Sequence, residues 1–169
     1  MTEPAPPRPM EDRMSAELDL FELSTSRLIA APPETVYRVW TTRTGEWFAP
    51  KPYTTPGVEL DLRPGGIARM DMQAPDGTAL PNQGVFLEVL PNEKLVYTDA
   101  FTVGWKPHEP FILLIVTFAP EAGGTRYTAT VRHWNAETMK RHDEMGFQEG
   151  WGTATDQLAE IAEAEVALA

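Results

Sequence analysis

Three side chains in the second half of the sequence have the types that move protons or fix a polar group: Asp99, Tyr127 and His133. Imidazole titrates near neutral pH, and a carboxylate or phenol beside it can complete an acid–base pair. The period-two pattern turns Tyr127 and His133 to one face of a strand, and Asp99 shares a face with Tyr97 and Phe101. These groups can act on a bound molecule or hold its polar end, and the same pattern also describes satisfied core or rim residues. A second polar cluster, His142, Asp143, Glu144 and Glu149, raises the question of a metal ion. His142 and Glu149 stand seven residues apart, so a helix puts them on one face, but no His-Glu-x-x-His or comparable ligand spacing exists. We read this run, with Lys140 and Arg141, as a solvated helix face and expect no metal and no cofactor. Pro64-Gly65-Gly66 is a strand turn, because no Lys-Ser/Thr pair or helix follows to hold a phosphate. No Gly-x-Ser-x-Gly elbow and no dinucleotide fingerprint occurs, so catalysis has no anchoring motif.

A larger set has the character of a lining. Trp40, Trp47, Met70, Met72, Phe86, Tyr97, Phe101, Trp105, Phe111, Phe147 and Trp151 combine flat aromatic faces with flexible thioethers, which suits an apolar, planar guest. With His133 and Gly150 they are the candidate binding residues, and ordinary core packing is the alternative use of each. Gly146, Gly150 and Gly152 interrupt a helical pattern where each costs about 1 kcal/mol relative to alanine. Either their missing side chains leave room for a guest or a hinge, or a strand backbone comes close there.

The elements that would position these residues can be read in order. Leu20 to Ala31 is a strand, closed at Pro32-Pro33 by a helix start, with Pro33 in the first turn and Glu34 at the positive end of the dipole. Val36, Val39 and Trp40 share a face, and Arg43 with Gly45 predicts a cationic last turn and a left-handed cap. Glu46-Trp47-Phe48 adds a further turn before Pro50 and Pro52, so two short helices follow the first strand. Six strands are then expected: 58–62, 67–74, 84–90, 95–102, 111–118 and 126–134. The breaks are Pro64-Gly65-Gly66, Asp76-Gly77, Pro91-Asn92 and Gly123-Gly124, and the nearly all-apolar 111–118 segment should be the most buried strand.

Asn135 caps a helix over 136–144. Phe147, Trp151, Ala154, Leu158 and Ile161 fall on one narrow stripe at roughly 100° per residue, and the stripe fails before Phe147. We therefore place a break near Gly146 and a separate long helix over 147–165. A twisted antiparallel sheet of about seven strands curls, and only this last helix is long enough to cover its concave face, so the class is α+β. A gap between sheet and helix is where an apolar pocket would lie.

Composition narrows the functions. The sequence has no cysteine, which removes disulfides, thiolate metal sites and a thiol nucleophile. Twenty-five acidic against 14 basic side chains give a net charge of −11, a poor match to nucleic acid or an anionic membrane. No apolar run approaches the roughly 20 residues of a membrane span, and no secretory pattern opens the chain, so a cytoplasmic protein is expected. Residues 1–17 are proline-rich and polar and are expected to be a disordered tail, leaving 18–169 as one domain.

The segments Ala31-Pro-Pro-Glu-Thr-Val-Tyr-Arg-Val-Trp-Thr, Trp47-Phe, Glu59-Leu-Asp-Leu-Arg-Pro-Gly-Gly, Gly84-Val-Phe-Leu-Glu-Val-Leu-Pro-Asn-Glu-Lys-Leu-Val-Tyr-Thr and Met139-Lys-Arg-His-Asp-Glu-Met-Gly-Phe-Gln-Glu-Gly-Trp-Gly occur in this order. Over residues 21–165 the chain resembles the bacterial proteins named after the activator of the 90-kDa heat-shock chaperone ATPase, within the START-like superfamily. The resemblance implies the helix-grip fold of the birch pollen allergen and a cavity between sheet and C-terminal helix. It makes a small hydrophobic ligand, lipid-like or aromatic and polyketide-like, the expected partner. A chaperone-regulating module and a cyclase-type enzyme using His133, Asp99 or Tyr127 are the other two readings. A monomer or weak homodimer is expected.

Overall fold

The structure, a computed structural model, describes residues 21–169. The expected proline-rich tail over 1–17 lies outside the described residues. Strand β1 (Glu22–Ile29) leads into helices α1 (Pro33–Thr42) and α2 (Thr44–Trp47). There follow β2 (Thr54–Leu60), β3 (Ile67–Gln73), β4 (Ala79–Leu80), β5 (Gln83–Leu90), β6 (Lys94–Thr98), β7 (Phe101–Thr102), β8 (Lys106–Pro107), β9 (Leu113–Glu121) and β10 (Gly124–Arg132). Helices α3 (Ala136–Glu144) and α4 (Phe147–Ala167) end the chain. The main sheet runs β1-β10-β9-β6-β5-β3-β2, antiparallel throughout, with β4 added beside β3. It curls around α4, which packs on β1 along one flank and on α1 and α2 along the other. This is the α+β helix grip, with a seven-strand path as expected.

In β10, Thr125, Tyr127, Ala129 and Val131 are buried while Arg126, Thr128, Thr130 and Arg132 face outward. On that outer face the hydroxyls of Ser24 and Thr130 lie 3.3 Å apart and those of Ser26 and Thr128 3.2 Å apart, a polar cross-strand row suited to water. On the inner face Tyr37, Phe118 and Tyr127 meet edge to face, and Trp40 packs on Trp47 at 5.4 Å. The Trp40 indole donates to the Tyr127 hydroxyl at 3.2 Å, and Trp47 Nε1 donates to Trp40 O at 3.2 Å, so the polar edges of this aromatic core are satisfied.

Four expectations need correction. The first concerns the end of α1, where Arg43 has φ −121° and Gly45 sits inside α2, so there is no left-handed cap. Arg43 instead donates to Glu46 and, at 3.0 Å, to Glu165 of α4, and a side chain at residue 45 would meet Thr55 O of β2 at 3.5 Å.

The strand expected over 95–102 leaves the sheet after Thr98. Asp99 accepts from the backbone N–H groups of Phe111 and Ile112 at 2.9 and 3.1 Å, pinching the chain into the β7–β8 hairpin. The strand expected over 111–118 alternates, with Leu114, Val116 and Phe118 buried and Leu113, Ile115 and Thr117 half-buried. It is β6, with every residue from Leu95 to Thr98 buried, that is most enclosed, partly because the Thr98 hydroxyl is tied to Ile112 O. Finally, the buried face of α4 is wider than the predicted stripe, since a trough touches a helix on both flanks. Thr155, Gln157, Ala159 and Ala162 are buried beside Ala154 and Leu158.

One of these, Gln157, is a polar residue inside the grip. Its amide donates to Trp47 O and Ala49 O, both at 2.8 Å, and its carbonyl accepts from Lys51 N–H at 3.0 Å. The break near Gly146 is present: Gly146 has φ +90°, a conformation glycine adopts without penalty. Met145 before it is 70% exposed, and Asn135 caps α3 by accepting from Thr138 N–H at 2.8 Å. Among the described residues no helix is long and apolar enough to cross a membrane.

Candidate functional site

The short turn over 133–135, between β10 and α3, sets α3 against the end of the sheet and brings two histidines together. Inward alternation along β10 leads to His133, just beyond its last residue. The His133 backbone N–H donates to Phe21 O at 3.0 Å, and its ring Nδ1 lies 2.9 Å from the same oxygen. Its Nε2 lies 2.9 Å from Nδ1 of His142. His142 was expected on a solvated helix face, but it is 9% exposed and is the buried residue of α3. The stripe of α4 does not determine which side of α3 faces inward, because the two helices do not share an axis.

Aromatic rings surround the pair. Phe111 lies 4.9 Å from the His142 ring and 6.1 Å from that of His133, and Phe147 meets His142 edge to face at 5.1 Å. Trp151 extends the run from Phe147 at 5.6 Å, while the Arg141 guanidinium covers Phe111 from outside at 5.3 Å. Burial holds the His142 ring down to about 4; the neighbouring His133 adds to this, and Asp143 opposes it.

The other expected site residues divide by depth. Trp40, Trp47, Met70, Phe86, Tyr97 and Phe147 are no more than 2% exposed. Met72, Phe111 and Trp151 are half-buried against that core. Phe101 and Trp105 form a separate pair on the β7–β8 hairpin at 6.0 Å, where Trp105 is exposed and lies over Gly65. No strand backbone crowds the helix glycines: a side chain at Gly146 or Gly152 would meet nothing within 4 Å, and one at Gly150 only Pro50 Cγ at 4.0 Å.

The three proton-transfer candidates have separate partners. Tyr127 accepts from Trp40, and its complete burial raises its hydroxyl above the usual phenol range. Asp99 is engaged by the backbone at Phe111 and Ile112, and His133 by Phe21 and His142. No hydrogen bond joins any two of the three among the described residues. In the second cluster His142 turns inward, whereas Asp143, Glu144 and Glu149 are exposed.

Sequence reasoning missed two features. One is the histidine pair, whose signal was the spacing of Met139 and His142, the half-buried and buried members of one face of α3. The other is a polar crevice of about 290 Å³ lined by Pro81, Asn82, Gln83, Asp99, Thr102 and His108. At this crevice the Tyr97 hydroxyl donates to Asn82 at 2.6 Å, and burial, together with Asp99 and Asp71, raises it above the phenol range.

Comparison with known proteins places this geometry. The family described as Activator of Hsp90 ATPase homolog 1-like protein matches residues 30–163. A crystal structure of a protein from Nitrosomonas europaea is 40% identical, with a TM-score of 0.83 over 90% of this chain and 98% of that one. A protein from Mycobacterium smegmatis is 25% identical, with a TM-score of 0.73 over 85% and 91%. An AHSA1-like protein from Aeromonas hydrophila shares the fold at 23% identity, with a TM-score of 0.65 over 85% and 93%. A search among curated proteins finds no match. By the extent of the family match and the identity to the Nitrosomonas protein, the chain belongs to the Activator of Hsp90 ATPase homolog 1-like family.

Proposed function

We propose that the chain binds a small, apolar, aromatic guest at the end of the grip where α3 folds back toward the sheet. The observation that carries this reading is the run Phe111–His142–Phe147–Trp151, in which the two inner rings are buried and the two outer rings half-exposed. Partly exposed rings anchored to a rigid aromatic core offer flat apolar surface whose ordering cost is already met. The unfilled space beside Gly150 and Gly152, in the first turns of α4, supports the same end of the molecule. The deeper side chains Trp40, Trp47, Met70 and Phe86 form the wall behind the guest in this reading. Membership in a family whose fold is compatible with a cavity agrees with it. The chaperone partner draws on the family alone and adds no residue to the site.

Titration with naphthalene, followed by the Trp151 indole and Phe111 ring signals in NMR spectra, tests the proposal. Saturable shifts at those two residues, with Trp40 and Trp47 little changed, are expected. A response confined to the exposed Trp105, or no response at saturating naphthalene, would dispose of it. Gly150→Leu should fold and lose the response, because a Cβ there meets only Pro50 at 4.0 Å and the added branches would take up the space proposed for the guest.

A further inference from the structure

Resting on that reading of the site, we infer that the guest carries a neutral hydroxyl-type hydrogen-bond donor, and that Nε2 of His142 accepts it. A carbonyl oxygen can only accept, so the His133 Nδ1 that lies 2.9 Å from Phe21 O must carry hydrogen. In a neutral His133 the other nitrogen, Nε2, is then bare. Two bare nitrogens do not settle 2.9 Å apart, so the hydrogen between the rings belongs to His142 Nδ1, which donates to His133. A neutral His142 is left with a bare Nε2, and one backbone carbonyl has thereby set the polarity of the far end of a two-ring chain.

That terminal nitrogen is available. It has no hydrogen-bond partner among the described residues, and it is not among the polar atoms sealed from solvent without one, as Thr55 Oγ1 is. The rings of Phe111 and Phe147 lie 4.9 and 5.1 Å from the imidazole, so a group reaching Nε2 passes aromatic surface and loses most of its water. An acceptor placed there needs a donor from the guest or leaves an unmet polar group. No carboxylate among the described residues bonds either ring, and the exposed Asp143 offsets the cost of a buried charge only in part, so the neutral pair is the form that persists. The depressed titration of His142 agrees with this.

The chemistry therefore separates guests of similar shape. A phenol or alcohol supplies the donor. An ether offers a second acceptor and gains nothing, and a carboxylate brings a negative charge to a bare lone pair on a chain of net charge −11.

Four probes applied to the full chain at neutral pH test this: naphthalene, 2-naphthol, 2-methoxynaphthalene and 2-naphthoate. Binding is read from the Trp151 indole, and the ring nitrogens of His142 are read by long-range nitrogen–proton correlation. The naphthol should bind about three- to tenfold more tightly than naphthalene, the gain of one net hydrogen bond. The methoxy compound should bind no more tightly than naphthalene, and the naphthoate more weakly. Nε2 of His142 should appear bare in the free protein and shift only with the naphthol. His142→Phe should retain naphthalene and lose the preference for the naphthol.

Equal affinities for naphthalene, naphthol and the methoxy compound would overturn the donor inference while the apolar site stood. A free-state spectrum with hydrogen on His142 Nε2 would overturn it without reference to any variant's folding. If neither naphthalene nor naphthol shifted Trp151, the site and the inference would fall together.

Discussion

Acidification should loosen the fold through His142, and the size of the effect can be worked from its surroundings. Histidine in an unfolded chain titrates near 6.5, and burial among Phe111, Phe147 and the His133 ring holds His142 down to about 4 in the folded protein. Between these values the unfolded chain binds a proton that the folded chain refuses, so stability rises with pH across the window. The contribution is fully present above about 6.5 and is lost progressively as pH falls toward 4. At pH 5 a shift of this size corresponds to a loss of about 2 kcal/mol. The ring edge touches solvent and Asp143 pulls the other way, so we expect about 1 to 2 kcal/mol. Arg141 on the same helix is turned onto Phe111. Glu46, Glu121 and Glu165 are held below their ordinary range by arginine partners and weaken the fold only at lower pH, so measurements stop at pH 5. The assay is urea unfolding of the full chain and of His142→Phe at pH 7.5, 6 and 5, comparing slopes with pH rather than absolute stabilities. If the two proteins lose the same stability between pH 7.5 and 5, or the parent gains stability on acidification, the assignment of His142 as a buried neutral ring is wrong.

Three further predictions concern α4 and its entry. Leu158→Ala removes a fully buried anchor and should cost about 2 to 5 kcal/mol in urea unfolding. Gly152→Ala should raise stability by about 0.5 to 1 kcal/mol, because the added methyl meets nothing within 4 Å and helix propensity improves, whereas Gly146→Ala should lower it by about 1 kcal/mol or more at φ +90°; paired thermal melts of the two variants check the opposite signs. Gln157→Leu strands two carbonyls and one N–H and should cost about 2 to 4 kcal/mol, with faster hydrogen exchange at Lys51 N–H as the local signature.

The architecture was legible because each local rule agreed with the global one. Alternation in β10, the Asn135 cap and the helix break at Gly146 are all decided within a few residues, and the structure holds them where the pattern put them. What failed was decided at a distance. Asp99 ends β6 because two N–H groups 12 and 13 residues later need an acceptor, and no window around residue 99 contains that fact. Gly45 looked like a helix cap because glycine so often is one, but here the chain continues into α2 with no left-handed residue, and Arg43 is held by Glu46 and by the distant Glu165. His142 was misread for a third reason. Charged neighbours make a short helix look solvated, although one inward residue per two turns is enough to dock it. At the candidate site, the inward direction of His133 could be read from strand parity, but that parity does not reach past the turn over 133–135, and the inward side of α3 is set by how the helix docks on the end of the sheet.

Gln157 has a consequence for the helix as a moving part. An apolar rod in an apolar trough has a shallow energy along its length, because methyl and ring surfaces exchange neighbours at little cost. A slip by one residue means a translation of about 1.5 Å with a turn of about 100°. The three hydrogen bonds to Trp47, Ala49 and Lys51 do not tolerate that slip, so they act as an index pin between the rod and the 47–51 segment. Any widening of the groove must then carry 47–51 along with α4 as one piece, together with the Arg38 and Arg43 side chains that hold Glu165 farther along the same helix.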